Sequence, residues 1–114
     1  RRVNNKHEVI SRFFINKWSV DINAHEISCE NETISLSEKE AKALRLFYVH
    51  KNEFLSREKI INHVWGFANE PNTRTIDNMI LKFRKIFESD PTKPNHFLSK
   101  RGIGYSLQLE KETL

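Results

Sequence analysis

Between Thr73 and Glu88 the chain reads TRTIDNMILKFRKIFE, which at helical spacing puts Arg74, Asn78, Leu81, Lys82 and Lys85 on one side and Arg84 on the flank beside Asp77. Cations in such a row pair with anions, and an amide offers a donor and an acceptor together, as the edge of a nucleobase requires. Ile76, Met79, Ile80, Phe83, Ile86 and Phe87 gather on the other side as a core-facing stripe. The helix therefore has an anchored back and a basic front. Lysines are common on any surface helix, so a second basic element nearby is needed to give this one meaning. SKRGIG, residues 99–104, supplies it: Lys100 and Arg101 precede two glycines that permit positive φ and a close approach of the backbone to another surface.

Other chemistries find little support. The single cysteine, Cys29, allows no intrachain disulfide and reads as a strand thiol in a reducing compartment, so a cytoplasmic location is expected. His7, His25, His50, His63 and His96 are scattered without metal-ligand spacing, and neither a metal nor a cofactor is expected. No nucleophile elbow, phosphate loop or paired-carboxylate arrangement is present, and Gly102-Ile103-Gly104 opens a strand and lacks the third glycine of a dinucleotide fingerprint. An enzyme is not expected. A net charge of +4 and a pI near 9.3 favour an anionic partner. The 114 residues, 38% hydrophobic and without a long apolar run, are enough for one soluble domain and give no membrane-spanning helix.

The elements that must position the basic residues follow from the period of the pattern. From Phe13 to Leu36 it is two: Trp18, Val20 and Ile22, then Ile27 and Cys29, then Ile34 and Leu36 alternate with polar residues. With Phe13 to Ile15 as the first strand, this predicts a four-stranded antiparallel sheet with turns at Asn16, at Asn23 and Ala24, and at Asn31 and Glu32. The period then becomes helical. Ser37 and Glu40 have capping-box spacing ahead of Ala41, Leu44, Phe47 and Tyr48, and the run closes near Lys51 and Asn52. A short second helix starts at Ser56 and carries Ile60, Ile61, Val64 and Trp65 up to Gly66. GFANEPN, residues 66–72, is a loop longer than a compact helix-turn-helix connection needs, and Asn72 or Thr73 can cap the third helix. After a second loop at 89–95, strands around Phe97 and Leu98 and around Tyr105, Leu107 and Leu109 make a hairpin with its tip at 99–104. The fold class is α+β: a winged helix-turn-helix with an N-terminal four-stranded antiparallel sheet, three helices and a C-terminal β-hairpin wing. In a winged helix the last helix enters the major groove and the hairpin reaches the backbone or minor groove beside it.

The motifs are also specific. RTIDNMILKFRKIF resembles the recognition helix of OmpR/PhoB-type response regulators, R-T-V-D-x-H-I-x-x-L-R-K-x-L, and KRGIGYSL is similar to their wing, V-R-G-x-G-Y-x-F. SREKIINHVWG resembles their second helix and LSEKEAKALRLF their first, so the resemblance runs from Leu36 to Leu107 in the family's order. The sequence departs at Asn78, where an apolar residue is usual, at Met79, where histidine is frequent, and at Leu81, where a polar or basic residue is common.

The resemblance implies double-stranded DNA as the partner, with Lys82 at a base, Arg74 and Arg84 at phosphates and Arg101 in the minor groove; the residues of the open face and the wing add Asn78 and Leu81 at bases, Thr73 and Lys85 at the backbone, and Lys100 in the wing. Asn78 suits an adenine edge. Leu81 fits either a thymine methyl or a protein contact, with the first strands or a neighbouring protomer. Asp77, which phosphate would repel, is expected to pair with a cation of the domain or to sit near the helix N-terminus. Phe67, Asn69 and Glu70 in the 66–72 loop are the expected contacts to RNA polymerase, beside the simpler reading of that loop as a spacer. The implied organisation is a linker tail at 1–9 following a phosphorylatable receiver domain, the DNA-binding domain at 10–110 and a tail at 111–114. Dimerisation through the receiver would set two such domains on direct-repeat half-sites.

Overall fold

The structure, a computed structural model, describes residues 11–66 and 73–109. Four short strands, β1 (Arg12–Ile15), β2 (Trp18–Asp21), β3 (Glu26–Cys29) and β4 (Glu32–Ser35), form an antiparallel meander in chain order. Ile15 pairs with Trp18 and Cys29 with Glu32, so two-residue turns join these strands, entered by Asn16 at φ 56° and Glu30 at φ 54°. The second of these turns falls one residue earlier than the sequence predicted. Register explains the shift: Ile27 stands opposite Ile34, which keeps both on the inner face and brings Glu32 into the strand.

Helix α1 (Glu38–Val49) begins with the expected capping box, in which Ser37 Oγ accepts the Glu40 N–H and Glu40 Oε1 accepts the Ser37 N–H. Asn52 leaves the helix region at φ 69°, the left-handed exit its side chain tolerates. Helix α2 (Arg57–Val64) is capped by Ser56 and followed by Gly66 at φ 84°. Helix α3 (Thr73–Phe87) precedes the hairpin of β5 (Phe97–Lys100) and β6 (Gly104–Leu107). Leu55, between α1 and α2, pairs with Tyr105 through two backbone hydrogen bonds, 2.8 and 2.9 Å, and so adds a third edge to the hairpin.

The core forms where these layers meet. Phe97 of β5 lies 5.3 Å from the Phe83 ring, 5.6 Å from Phe87 and 6.0 Å from Phe47, while Trp18 of the sheet meets Phe87 edge-on at 6.4 Å. One aromatic cluster thus joins α1, α3, the wing and the sheet, and each ring contributes area burial plus about 1 kcal/mol per favourable ring pair.

Candidate nucleic-acid interface

Helix α3 is fixed by a narrow apolar stripe. Ile76, Ile80, Phe83 and Phe87 are buried at helical spacing, and Met79 and Ile86 flank them half-buried. Each fully buried side chain contributes about 2 kcal/mol. The opposite side is open: Arg74, Asn78, Leu81, Lys82 and Lys85 are all exposed. Leu81 is a large apolar side chain left 53% exposed on this face. The side chain of Thr73 lies outside the described residues, as do Phe67, Asn69 and Glu70.

Polar contacts set the angle of α3 along its whole length. Near its start, Asp77 Oδ1 accepts hydrogen bonds from Tyr105 Oη at 2.6 Å and Arg57 Nε at 2.9 Å, tying α3 to β6 and α2 at once. The Tyr105 hydroxyl, then Arg57, hold the Asp77 carboxyl below its usual range against the opposing effect of burial. Asp77 therefore has the structural ion pair expected of a carboxylate on a basic helix. Further along, Lys82 Nζ lies 2.7 Å from Glu40 Oε2 of α1. At the far end Asn16 Nδ2 donates to the Phe87 carbonyl at 2.8 Å, so the first turn of the sheet caps the helix. Glu88, buried one residue beyond, accepts the backbone N–H groups of Asn95, His96 and Phe97 at 2.9, 2.8 and 2.7 Å.

Arg84 also has a partner within the domain. Expected at a phosphate, it is half-buried and its Nε donates to the Phe97 carbonyl at 2.9 Å, joining α3 to β5. Its position on the flank explains this, since that flank of α3 lies against the wing, and the Nε contact leaves the terminal N–H groups for another acceptor. Arg84→Ala is accordingly expected to lower the thermal midpoint, at a cost of about 1 to 2 kcal/mol, beside a uniform loss of DNA affinity from the phosphate contact. An unchanged midpoint would show that the Phe97 contact adds no stability, and an unchanged affinity in a duplex titration would remove the phosphate contact.

The wing stands beside α3 because Tyr105 and Phe97 hold both of its strands to that helix. At its tip Lys100 and Arg101 are exposed, Gly102 takes φ 79°, and the Ile103 N–H closes the turn on the Lys100 carbonyl at 2.9 Å. Lys100 Nζ also lies 5.5 Å from the centre of the Phe54 ring, a cation–π contact that orders its stem.

Residues 31–107, most of the chain, match the family described as "Transcriptional regulatory protein, C terminal". The chain belongs to that family. Over 89 residues it is 33% identical to the sensory transduction protein RegX3 of Mycobacterium tuberculosis, covering 78% of this chain and 39% of RegX3. The chain thus spans well under half the length of the curated relatives it matches. In fold it is similar to the response regulator DrrB of Thermotoga maritima, an OmpR/PhoB homologue, with a TM-score of 0.72 at 22% identity over 86% of this chain and 44% of DrrB. It is also similar to the DNA-binding domain of Klebsiella pneumoniae RstA, solved in complex with the RstA box, with a TM-score of 0.69 at 18% identity over 85% of this chain and 96% of that one.

The winged-helix architecture of OmpR/PhoB regulators is the one the sequence predicted. This is a family of transcription-regulator domains and not an enzyme class. Among the described residues no helix is long and apolar enough to cross a membrane, and no group of three His, Cys, Asp or Glu side chains could hold a metal ion. Sequence reasoning missed Glu40, Arg57, Glu88 and Tyr105 as the residues that hold the candidate interface in shape. Glu88 left one faint signal, an acidic residue directly after the last position of an apolar stripe and before a proline-containing loop.

Proposed function

We propose that this chain is the sequence-specific DNA-binding effector domain of a two-component response regulator and controls transcription with α3 in the major groove. The observation that carries this reading is the pairing of two exposed basic elements on one clamped frame. Arg74, Asn78, Lys82 and Lys85 share the open face of α3, and Tyr105 and Phe97 hold Lys100 and Arg101 beside it. Asn78, Leu81 and Lys82 face bases, with Leu81 against a thymine methyl; Thr73, Arg74, Arg84 and Lys85 face the backbone; Arg101 enters the adjacent minor groove. RstA, a domain of the same fold, has been solved on its DNA box.

Within the whole protein, residues 1–9 link to a receiver domain, 10–110 form the DNA-binding unit and 111–114 are a tail. Phosphorylation-dependent pairing of receivers sets two effector domains on direct repeats in the cytoplasm, and the 66–72 loop, through Phe67, Asn69 and Glu70, meets RNA polymerase.

Selection from random duplexes with the wild type and Lys82→Ala tests the assignment. The wild type is expected to return a defined half-site, and Lys82→Ala to lose preference at one position, a discrimination of about 1 to 3 kcal/mol. Affinity should fall with salt at a log–log slope of about 0.9 per phosphate contact. An unenriched pool, or binding without a salt slope, would refute the proposal.

A further inference from the structure

Lys82 is not a free cation. Its contact with Glu40 at 2.7 Å joins α3 to α1 across 42 positions of sequence. Glu40 is itself immobilised, because its second oxygen accepts the Ser37 N–H at 2.9 Å in the capping box. The carboxylate therefore cannot follow a swinging lysine. Side-chain exposure is 13% for Glu40 and 48% for Lys82, so the acid stands behind the ammonium, which faces outward. Burial pushes the Glu40 carboxyl up, but Lys82 and Ser37 together outweigh it and hold the group below the usual carboxylate range, charged at neutral pH. An ammonium has three N–H donors; Glu40 takes one and leaves two for another acceptor.

We infer that Glu40 is a positioning residue for DNA readout: it holds Lys82 in one place on the open face of α3 and weakens its attraction to phosphate. This rests on the reading of Lys82 as a base contact. An unrestrained lysine is a point charge on a flexible stem, and phosphates lie within its reach on every sequence. Tied back to a fixed carboxylate, the ammonium keeps its directed hydrogen bonds and loses much of its sequence-independent pull. Glu40 thereby raises the ratio of specific to non-specific binding without touching DNA.

Glu40→Gln isolates this effect, because glutamine also serves in a capping box and only the charge is lost. Affinity for a non-cognate duplex is expected to rise, the salt slope to steepen by up to about 0.9 as Lys82 takes a phosphate, and the cognate to non-cognate ratio to fall on the order of three- to tenfold. Removing any acid raises general affinity, so the same substitution is made in Lys82→Ala, where it should leave the ratio unchanged. A wild-type ratio and slope in Glu40→Gln, or an undiminished change of ratio in the Lys82→Ala background, overturns the inference. If Lys82→Ala alone leaves the selected motif intact, the base-contact reading falls and this inference with it. A motif altered by Lys82→Ala beside an inert Glu40→Gln overturns this inference alone.

Discussion

Gly104→Ala is expected to cost about 3 to 5 kcal/mol and to detach the wing from the body of the domain. A Cβ at this position would stand 1.9 Å from the Leu55 carbonyl oxygen, 2.7 Å from its carbon and 2.9 Å from Ser56 Cα. All three are backbone atoms, so no side-chain rotation relieves the clash. The φ of +149° adds strain for any residue with a Cβ. Relief requires the hairpin to move off Leu55, which breaks the paired Leu55 and Tyr105 hydrogen bonds and draws the Tyr105 hydroxyl from Asp77. Gly102→Ala is the natural control, since nothing lies within 4 Å of where its methyl group would stand and only the left-handed φ of +79° opposes it, a cost of about 1 kcal/mol. Thermal unfolding of the two variants, with amide exchange at Leu55 and Tyr105, measures the difference. Equal midpoints would show that the wing does not depend on this close approach.

Glu88→Ala should be nearly as severe. Its carboxylate receives three backbone N–H groups and the His96 ring at 3.1 Å, and the α3–β5 connection is built around it. Removing it strands these donors next to the core, at about 3 to 5 kcal/mol, or on the order of 10 °C or more in the midpoint. Burial alone would raise the Glu88 pKa, but the hydrogen bonds from Asn95, Phe97 and His96 outweigh it and bring the carboxyl below its ordinary 4.5. A folded pKa below the unfolded one means that the stabilisation is complete above about pH 4.5 and is lost as the pH falls through the depressed value. Wild-type stability should thus fall on the acid side of 4.5, and Glu88→Gln should flatten that limb while lowering stability at neutral pH. An acid limb of the same steepness in Glu88→Gln would assign the acid sensitivity to other carboxylates.

What the sequence made legible was local. Strand alternation from Phe13, the capping box at Ser37 and Glu40, and the stripe of Ile76, Ile80, Phe83 and Phe87 are all written within a few residues of one another, and each formed as expected. The open face of α3 and the exposed tip at Lys100 and Arg101 were legible for the same reason. The contacts that orient these elements were not. Asn16 reaches Phe87 across 71 positions, Arg57 reaches Asp77 across 20, and Lys82 reaches Glu40 across 42. Periodicity carries no information about which distant polar groups will meet. Arg84 shows the consequence, because its charge gave no sign of the Phe97 carbonyl that its Nε serves.

The apolar stripe and the open face of α3 share almost no residues, and this shapes how such a domain can diverge. Substitutions at Arg74, Asn78, Leu81 or Lys85 leave Ile76, Ile80, Phe83 and Phe87 in place, so under the proposed readout preference for a new operator can arise while the scaffold stays folded. Position 82 is the exception. A change there leaves Glu40 without its cation, so under the proposed readout a new base preference at position 82 calls for a matching change on α1.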